Sequence, residues 1–171
     1  PVRLCNYIDV YNNDYITGDL QFMRATATPP EIERFGLRVG DVIITKDSET
    51  PDDIGISAVV DYAAPDLVCG YHLALIRPRA QVIDAPFLAK QLKHQRLARY
   101  FGQRANGLTR YGLRIEVVTN APLWLPDLPQ QKAIGTILRL LDEAIAKTEA
   151  VIAKLKQVRA GLLHDLLTRG L

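Results

Sequence analysis

The sequence has few of the features that define secreted, membrane or disulfide-rich proteins. Its two cysteines do not make a disulfide framework. No apolar run approaches the roughly 18 residues that a membrane-spanning helix needs, and the first residues lack the apolar core of a signal peptide. These absences predict a protein that spans no membrane, and the scarcity of cysteine favours a reduced, cytoplasmic setting.

Motifs for cofactor-dependent and metal-dependent catalysis are also missing. Neither GxxxxGK[ST] nor GxGxxG occurs, so no phosphate-binding loop is predicted. Pro29 and Pro30 lack the Asn or Asp before them and the aromatic after them that a base methyltransferase uses. The Cys and His residues are scattered, and the carboxylates of residues 47–53 favour a solvated loop over a nuclease site. We therefore predict no catalytic residue, no metal and no cofactor.

The formal net charge of +2 conceals strong charge patterning. Residues 1–66 contain five basic and twelve acidic side chains, whereas residues 77–114 contain nine basic side chains and a single acid, Asp84. A basic block of this density in a folded domain is typical of proteins that bind polyanions, above all nucleic acid. The alternative is a solvated basic face that balances the acidic first third.

A glycine-bracketed loop at residues 107–112 carries side chains that suit DNA recognition. Glycines let the backbone approach a ligand closely. Between them, a hydroxyl, a guanidinium and an aromatic ring offer contacts to phosphates and base edges. A plain surface turn is the alternative. The predicted DNA contacts, taken from this loop, the basic block and one upstream loop, are Lys46, Lys90, Lys93, Arg96, Arg104, Thr109, Arg110 and Tyr111.

Two other side chains are interpreted as packing residues. His72 lies in an apolar strand-like run, where a hydrogen-bonded histidine of the core or of a groove is favoured over a catalytic one. Trp124 lies between prolines and is predicted to pack the connector at residues 120–129 onto the domain.

Apolar patterning and turn residues predict an α+β fold. Short extended runs separated by turn residues indicate a small, mostly antiparallel β recognition domain with short helices, covering residues 1–126. Thr28 is the expected cap of one short helix, which Gly36 ends, and Asp84 is the expected cap of another. The predicted strands cover residues 1–11, 42–45, 56–62, 67–76 (one or two strands) and 114–118, and the predicted helices cover residues 29–35 and 87–102.

The second predicted domain is a long, coiled-coil-forming helix at residues 127–171. Apolar residues recur there with heptad spacing for more than four heptads, interrupted at Thr148 and Arg159. Such a helix is roughly 57 Å long at 1.5 Å per residue, which is too long for the preceding domain to cover. The predicted helix-pairing residues are Ile134, Leu138, Leu141, Ile145, Ile152, Leu155, Leu162 and Leu166.

The connector and helix resemble the corresponding region of type I restriction–modification specificity subunits. The motifs that carry the resemblance are the Pro-aliphatic-Pro entry at residues 126–129, Leu-Asp-x-x-Ile at 141–145, Lys-Leu-Lys at 154–156 and Gly-Leu-Leu-x-Asp-Leu-Leu-Thr at 161–168. The family commonly has Glu where this sequence has Gln130. Weaker matches upstream, including residues 40–43 and the 107–112 loop, resemble a target recognition domain of the same family.

This resemblance implies a non-catalytic subunit that reads one half of a bipartite site in duplex DNA. It also implies docking to methyltransferase subunits and, through them, to restriction subunits. In the family, two recognition domains are separated by two antiparallel helices. The sequence holds one domain and one helix, so we expect either an N-terminal half of a subunit or a short subunit that pairs with a second copy. The alternative is a coiled-coil protein–protein adaptor without sequence-specific DNA binding.

Overall fold

The computed structural model describes residues 1–170; Leu171, the last residue of the predicted helical segment, lies outside the described residues. Contacts divide the chain into two compact units, Pro1–Gly135 and a second unit that begins at Thr136. The strands are β1 (Val2–Cys5), β2 (Tyr15–Ile16), β3 (Met23–Ala25), β4 (Val42–Thr45), β5 (Asp47–Ser48), β6 (Ser57–Val60), β7 (Leu67–Cys69), β8 (Leu73–Ile76) and β9 (Tyr111–Gly112). The helices are α1 (Tyr7–Tyr11), α2 (Pro29–Phe35), α3 (Ala85–Lys93), α4 (Gln95–Gly102), α5 (Ile115–Thr119) and α6 (Leu128–Arg169), with a 3₁₀ turn at Pro51–Asp53.

Three small sheets build the first unit. A three-stranded sheet has the order β3–β1–β7, a four-stranded sheet has the order β2–β6–β4–β8, and β5 pairs with β9. Among the described residues, four strand pairings are antiparallel, and the β1–β7 and β2–β6 pairings are parallel. The predicted α+β fold, with a mostly antiparallel β-domain and a long helix after it, is therefore confirmed.

The strand β4 lies at the centre of the core because both of its faces are buried. Val42 and Ile44 belong to a hydrophobic cluster shared with α3 and α4, whereas Ile43 belongs to a second cluster shared with β1, α1 and β7. Successive side chains of a strand point to opposite faces. An uninterrupted apolar run therefore suits a strand that is covered on both sides.

The predicted strand over residues 1–11 is wrong, because β1 ends at Cys5 and the helix α1 follows it. Asn6 caps this helix: its side-chain oxygen accepts a hydrogen bond from the backbone N–H of Ile8 (2.9 Å). In return, the Asp9 carboxylate accepts one from the backbone N–H of Asn6 (2.8 Å). This reciprocal capping box starts a helix where the apolar alternation favours a strand.

The predicted single helix over residues 87–102 is two helices, α3 and α4. His94 separates them in an extended conformation with φ −62° and ψ 140°. Its imidazole Nδ1 accepts a hydrogen bond from the backbone N–H of Arg96 (3.2 Å) and so caps α4. Asp84 caps α3 as predicted, accepting from the backbone N–H of Phe87 (3.1 Å).

The predicted strand over residues 114–118 is also wrong, because these residues form the short helix α5. Its β-branched residues favour a strand by propensity. The backbone N–H of Asn120, however, donates to the Glu116 carbonyl (3.0 Å), and the Tyr100 hydroxyl donates to the Val117 carbonyl (3.1 Å). These hydrogen bonds outweigh the preference of the β-branched residues for a strand.

The helix α6 contains 42 residues and is therefore about 63 Å long at 1.5 Å per residue. The Asp127 side chain caps its start by accepting a hydrogen bond from the backbone N–H of Gln130 (2.9 Å). The departure from the family pattern at Gln130 thus leaves the start of the helix capped. Within residues 1–170, no helix is both long and apolar enough to cross a membrane.

The first two turns of α6 belong to the first unit. Gln131 is only 2% exposed. Its side-chain oxygen accepts from the backbone N–H of Asp84 (3.0 Å), and its amide nitrogen donates to the carbonyls of Val82 (3.1 Å) and Pro126 (2.8 Å). Ile134, one turn later, packs against the core cluster that contains α3 and α4. One buried amide and one aliphatic side chain therefore fix this end of the helix.

Gly135 has a packing role that helix propensity alone does not reveal. A Cβ at this position would lie 2.7 Å from Oδ2 of Asp84 and 3.2 Å from the backbone N of Phe87, which are the two groups of the α3 cap. A Cβ at Gly161, also within α6, would meet nothing within 4 Å. The same substitution should therefore have opposite effects at the two glycines.

We expect Gly135→Ala to destabilise the protein by about 1–2 kcal/mol, since overpacking at the α3 cap exceeds the gain in helix propensity. Gly161→Ala, the matched control, should stabilise the helix by up to about 1 kcal/mol. Chemical denaturation followed by circular dichroism measures both changes. Equal stabilisation by the two substitutions would contradict the close approach of Gly135 to the cap.

Candidate nucleic-acid interface

A two-stranded sheet brings together two of the predicted DNA-contacting segments. In the β5–β9 pairing, Asp47 lies opposite Gly112 and Ser48 lies opposite Tyr111. Next to it, the backbone N–H of Leu113 donates to the Lys46 carbonyl (2.7 Å). Lys46 and the end of the 107–112 loop, separated by more than sixty positions in the sequence, are therefore neighbours.

The loop that precedes β9 is closed at its base and exposed at its tip. Asn106 and Gly112 exchange two backbone hydrogen bonds of 3.0 and 2.9 Å. Gly107 has a φ of +152°, and a Cβ there would lie 1.9 Å from the Arg110 carbonyl oxygen, so the turn requires glycine. Thr109 and Arg110 are exposed. The base of the loop is thus fixed while its polar tip faces solvent.

Tyr111 differs from the rest of the loop because it is half-buried and packs against the core cluster that contains α3 and α4. Part of its side chain is therefore covered by the domain and is not available to a ligand. Thr109 and Arg110 are the predicted reading side chains that the structure leaves most open to a ligand.

A cluster of polar and aromatic side chains surrounds Lys46. Its ammonium nitrogen lies 4.8 Å from the centre of the Tyr71 ring and 3.7 Å from Oδ2 of Asp47. The same carboxylate oxygen is 2.8 Å from Nδ1 of His72. His72, predicted to lie in the core or a groove, is therefore a half-exposed member of this cluster.

Tyr71 is the residue of this cluster that sequence reasoning missed. It is 80% exposed and lies between β7 and β8. Its position in the sequence could have indicated exposure, because Tyr71 lies in a Gly-Tyr-His turn directly after an apolar strand-like run.

Two of the predicted phosphate contacts already have a partner within the protein. Lys90 and Lys93 of α3 both bind the Asp14 carboxylate, the former at 2.9 Å. Burial raises the pKa of Asp14, but the hydrogen bonds and charges of Lys93 and Lys90 outweigh this effect and lower the pKa below its ordinary value. Both ammonium groups are only partly exposed. These two charges are therefore largely balanced within the fold.

Several exposed cations of the basic block lie on α4 and after it. Arg96 and Arg104 are exposed, as are Arg99, Arg110 and Arg114. The Arg104 guanidinium stacks 4.0 Å from the Tyr100 ring centre, so this side chain is pre-positioned without a carboxylate partner at the contact. Arg77 instead binds Asp41 through hydrogen bonds of 2.9 Å, which raise the pKa of Arg77.

Trp124 contributes to the connector chiefly through its backbone. Its N–H donates to Oε1 of Gln91 (3.0 Å), and its carbonyl accepts from Nε2 of the same side chain. The indole ring lies 6.2 Å from the Phe87 ring, and the residue is 60% exposed.

The predicted helix-pairing residues differ in exposure. Ile134 packs against the core of the first unit, to which it belongs. Leu138, in the second unit, is half-buried. The other six predicted residues are 46–62% exposed. A second exposed apolar row was not predicted. It consists of Ile137, Ala144, Val151 and Val158, each of which comes directly before a heptad position of the predicted row. The exposed apolar stripe of α6 is therefore wider than a two-helix seam.

The described residues also bear on metal and thiol chemistry. Across residues 1–170, no group of three or more His, Cys, Asp or Glu side chains is arranged to hold a metal ion. Cys5 and Cys69 lie opposite each other on β1 and β7, and both are buried free thiols. Burial raises the pKa of both thiols, which keeps them protonated and unreactive.

Comparison with known proteins gives one family and several related structures. A family model described as the type I restriction modification DNA specificity domain matches residues 6–157. A curated relative, named as the type I restriction enzyme MjaX specificity subunit of Methanocaldococcus jannaschii, is 25% identical over 143 residues. That match covers 82% of this chain and 33% of the relative, so the chain spans about a third of the relative's length.

Two solved structures share the fold over almost the whole chain. The S subunit of a type I restriction–modification system from M. genitalium superposes with a TM-score of 0.58 at 17% identity, covering 97% of this chain and 42% of that one. A structure that concerns complex assembly and conformational transition of the type I R-M system gives a TM-score of 0.64 at 18% identity, covering 99% and 39%. At such identities these similarities concern the fold alone.

Proposed function

The chain belongs to the type I restriction modification DNA specificity domain family, and on this premise we propose that it reads one half of a bipartite target in duplex DNA. In this role it binds and positions but does not catalyse. The family match favours this function over a protein–protein adaptor. We further propose that residues 1–126 are the target recognition domain and that residues 127–171 are the spacer and assembly helix.

The pairing of β5 with β9 is the observation that best supports DNA reading. It holds Lys46 beside a loop whose tip presents Thr109 and Arg110. A hydroxyl and a guanidinium at an exposed tip can hydrogen-bond base edges, and arginine pairs with guanine through two parallel hydrogen bonds. These side chains are the proposed base-reading groups.

Exposed arginines of α4 and of the segment after it supply the proposed phosphate contacts. Arg96 and Arg104 come first because they are accessible, whereas a phosphate would have to displace the Asp14 carboxylate from Lys90 and Lys93. Phosphate contacts fix the register of a protein on the duplex, and they release counterions. Binding should therefore weaken steeply as salt increases.

The double variant Arg104→Ala/Arg110→Ala is expected to bind duplex DNA about 10- to 100-fold more weakly. Loss of the proposed Arg104 phosphate contact should also reduce the slope of log K against log salt by about 1. Fluorescence anisotropy with a labelled duplex across a salt series measures both quantities.

Arg38→Ala is the matched control for this variant, because it removes an exposed arginine from the acidic first third of the chain. It should leave the affinity and the salt slope almost unchanged. If the double variant bound DNA as tightly as the unaltered protein, the assignment of Arg104 and Arg110 as DNA contacts would be wrong.

The exposed stripe of α6 is the proposed assembly surface. The predicted pairing residues occupy two positions of each heptad, and the second apolar row occupies a third position beside them. An apolar surface of this width suits a helix that contacts more than one partner helix. One partner is a second specificity half, in the same polypeptide or in a second copy, paired antiparallel. The others are methyltransferase subunits, through which restriction subunits join. The length of the helix then sets the separation of the two half-sites.

A further inference from the structure

Tyr71 is an exposed aromatic residue whose position the fold nevertheless constrains. It is 80% exposed, so it contributes little to the core. Its ring lies edge-on to the His72 ring, with centroids 5.0 Å apart and planes at 79°. On another side, the Lys46 ammonium is 4.8 Å from the ring centre.

The two neighbours of Tyr71 are themselves fixed by one carboxylate. Asp47 Oδ2 is 2.8 Å from Nδ1 of His72 and 3.7 Å from the Lys46 ammonium. The backbone N–H of Lys46 also donates to the carbonyl of His72 (3.0 Å). An exposed ring with neighbours held in this way loses little conformational freedom when it binds a ligand.

The Tyr71 turn lies close to the end of the 107–112 loop. Lys46 is bonded to His72 through its backbone N–H and to Leu113 through its carbonyl. The Tyr71 turn and the end of the 107–112 loop therefore contact the same lysine. Lys46 and Tyr71 also line an open groove of about 820 Å³ whose walls include Leu73, Leu113 and Ile115.

We propose that the Tyr71 ring is a specificity-determining element that contacts a base edge beside the bases read by the loop tip. This inference rests on the proposed DNA-reading function and adds a residue to it. An aromatic ring beside apolar walls suits the thymine methyl group, the one apolar feature of the major-groove edges. Lys46 and His72 act as positioning residues, and Lys46 draws the adjacent phosphate toward the ring.

The test selects DNA from a pool of randomised duplexes with the assembled complex, made from the full chain and its methyltransferase partners. The motifs enriched by the unaltered complex and by the variant complexes are then compared. The unaltered complex should enrich a defined motif. With Tyr71→Ala, we expect the preference at one or two neighbouring positions to fall about 3- to 10-fold, as loss of an apolar contact with one methyl group does. The other positions and the salt slope of binding should not change.

Two further variants separate the ring contact from other effects. Tyr71→Phe keeps the ring and should retain the motif, whereas Tyr11→Ala removes a partly exposed tyrosine from α1 and should leave the motif intact. Thermal unfolding should show that Tyr71→Ala folds normally, since the side chain is mostly exposed.

Four outcomes would overturn the proposal. An unchanged motif in Tyr71→Ala, or an equal loss of affinity for every sequence, would remove Tyr71 from base reading. A loss of preference in Tyr71→Phe equal to that in Tyr71→Ala would exclude a contact through the ring. If the unaltered complex enriches no motif at all, the proposed DNA-reading function itself fails, and this inference fails with it.

Discussion

Replacing Leu155 with Asp should weaken assembly through α6 by at least about 100-fold. Leu155 is 62% exposed in the chain alone and lies in the middle of the predicted pairing row. A partner helix would bury it, and a charge left unpaired in such an interface costs about 3–5 kcal/mol. Since each 1.4 kcal/mol is a tenfold change in the dissociation constant, a 100-fold increase in the dissociation constant is the lower end of the expectation.

Analytical ultracentrifugation and co-purification with methyltransferase subunits measure this effect. The matched control is Gln157→Asp, which places the same charge two residues away on the opposite side of the helix. The control should assemble normally, and neither variant should change the melting of the first unit. Normal assembly of Leu155→Asp would mean that the exposed row of α6 is not the interface.

Gln131→Ala should destabilise the first unit by about 3 kcal/mol, since a buried donor or acceptor left unpaired costs about 1–3 kcal/mol. The substitution removes the partner of the Asp84 backbone N–H and of the carbonyls of Val82 and Pro126. It also leaves a void at a position that is 2% exposed.

Urea denaturation measures this loss, and the neighbouring glutamine provides the control. Gln130 is exposed, so Gln130→Ala should change the free energy of unfolding by less than about 0.5 kcal/mol. If the two alanine variants were equally stable, the hydrogen bonds of Gln131 would not hold the start of α6 to the domain.

The sequence predicts those elements of this fold whose local signals agree. The caps and prolines of α2 and the apolar run of β4 gave correct elements, because capping, propensity and burial all favour the same structure there. The segment that became α5 failed because β-branched residues favour a strand while local hydrogen bonds form a helix. His94 ends one helix and caps the next through its imidazole, a role that histidine seldom signals in a sequence.

The sequence nominates candidate residues for the site one by one, but it does not show how they are arranged. Lys46 and the 107–112 loop were chosen for their chemistry, whereas the proximity of Lys46 to the end of this loop depends on β5 and β9, which contain two residues each and show no periodicity. Charge density selected Lys90 and Lys93, but their partner Asp14 lies in a different charge block more than seventy positions earlier. Long-range pairing of this kind leaves no local pattern in the sequence.

The closed base of the 107–112 loop separates residues that the fold fixes from residues that can vary. Asn106 and Gly112 complete their backbone hydrogen bonds with each other, and Gly107 is fixed by the turn. The side chains of Thr109 and Arg110 are exposed and form none of these bonds, so substitutions there should change the surface of the loop at little cost in folding. Under the proposed DNA-reading role, such substitutions would alter the recognised sequence while the hydrogen bonds that close the loop stay intact.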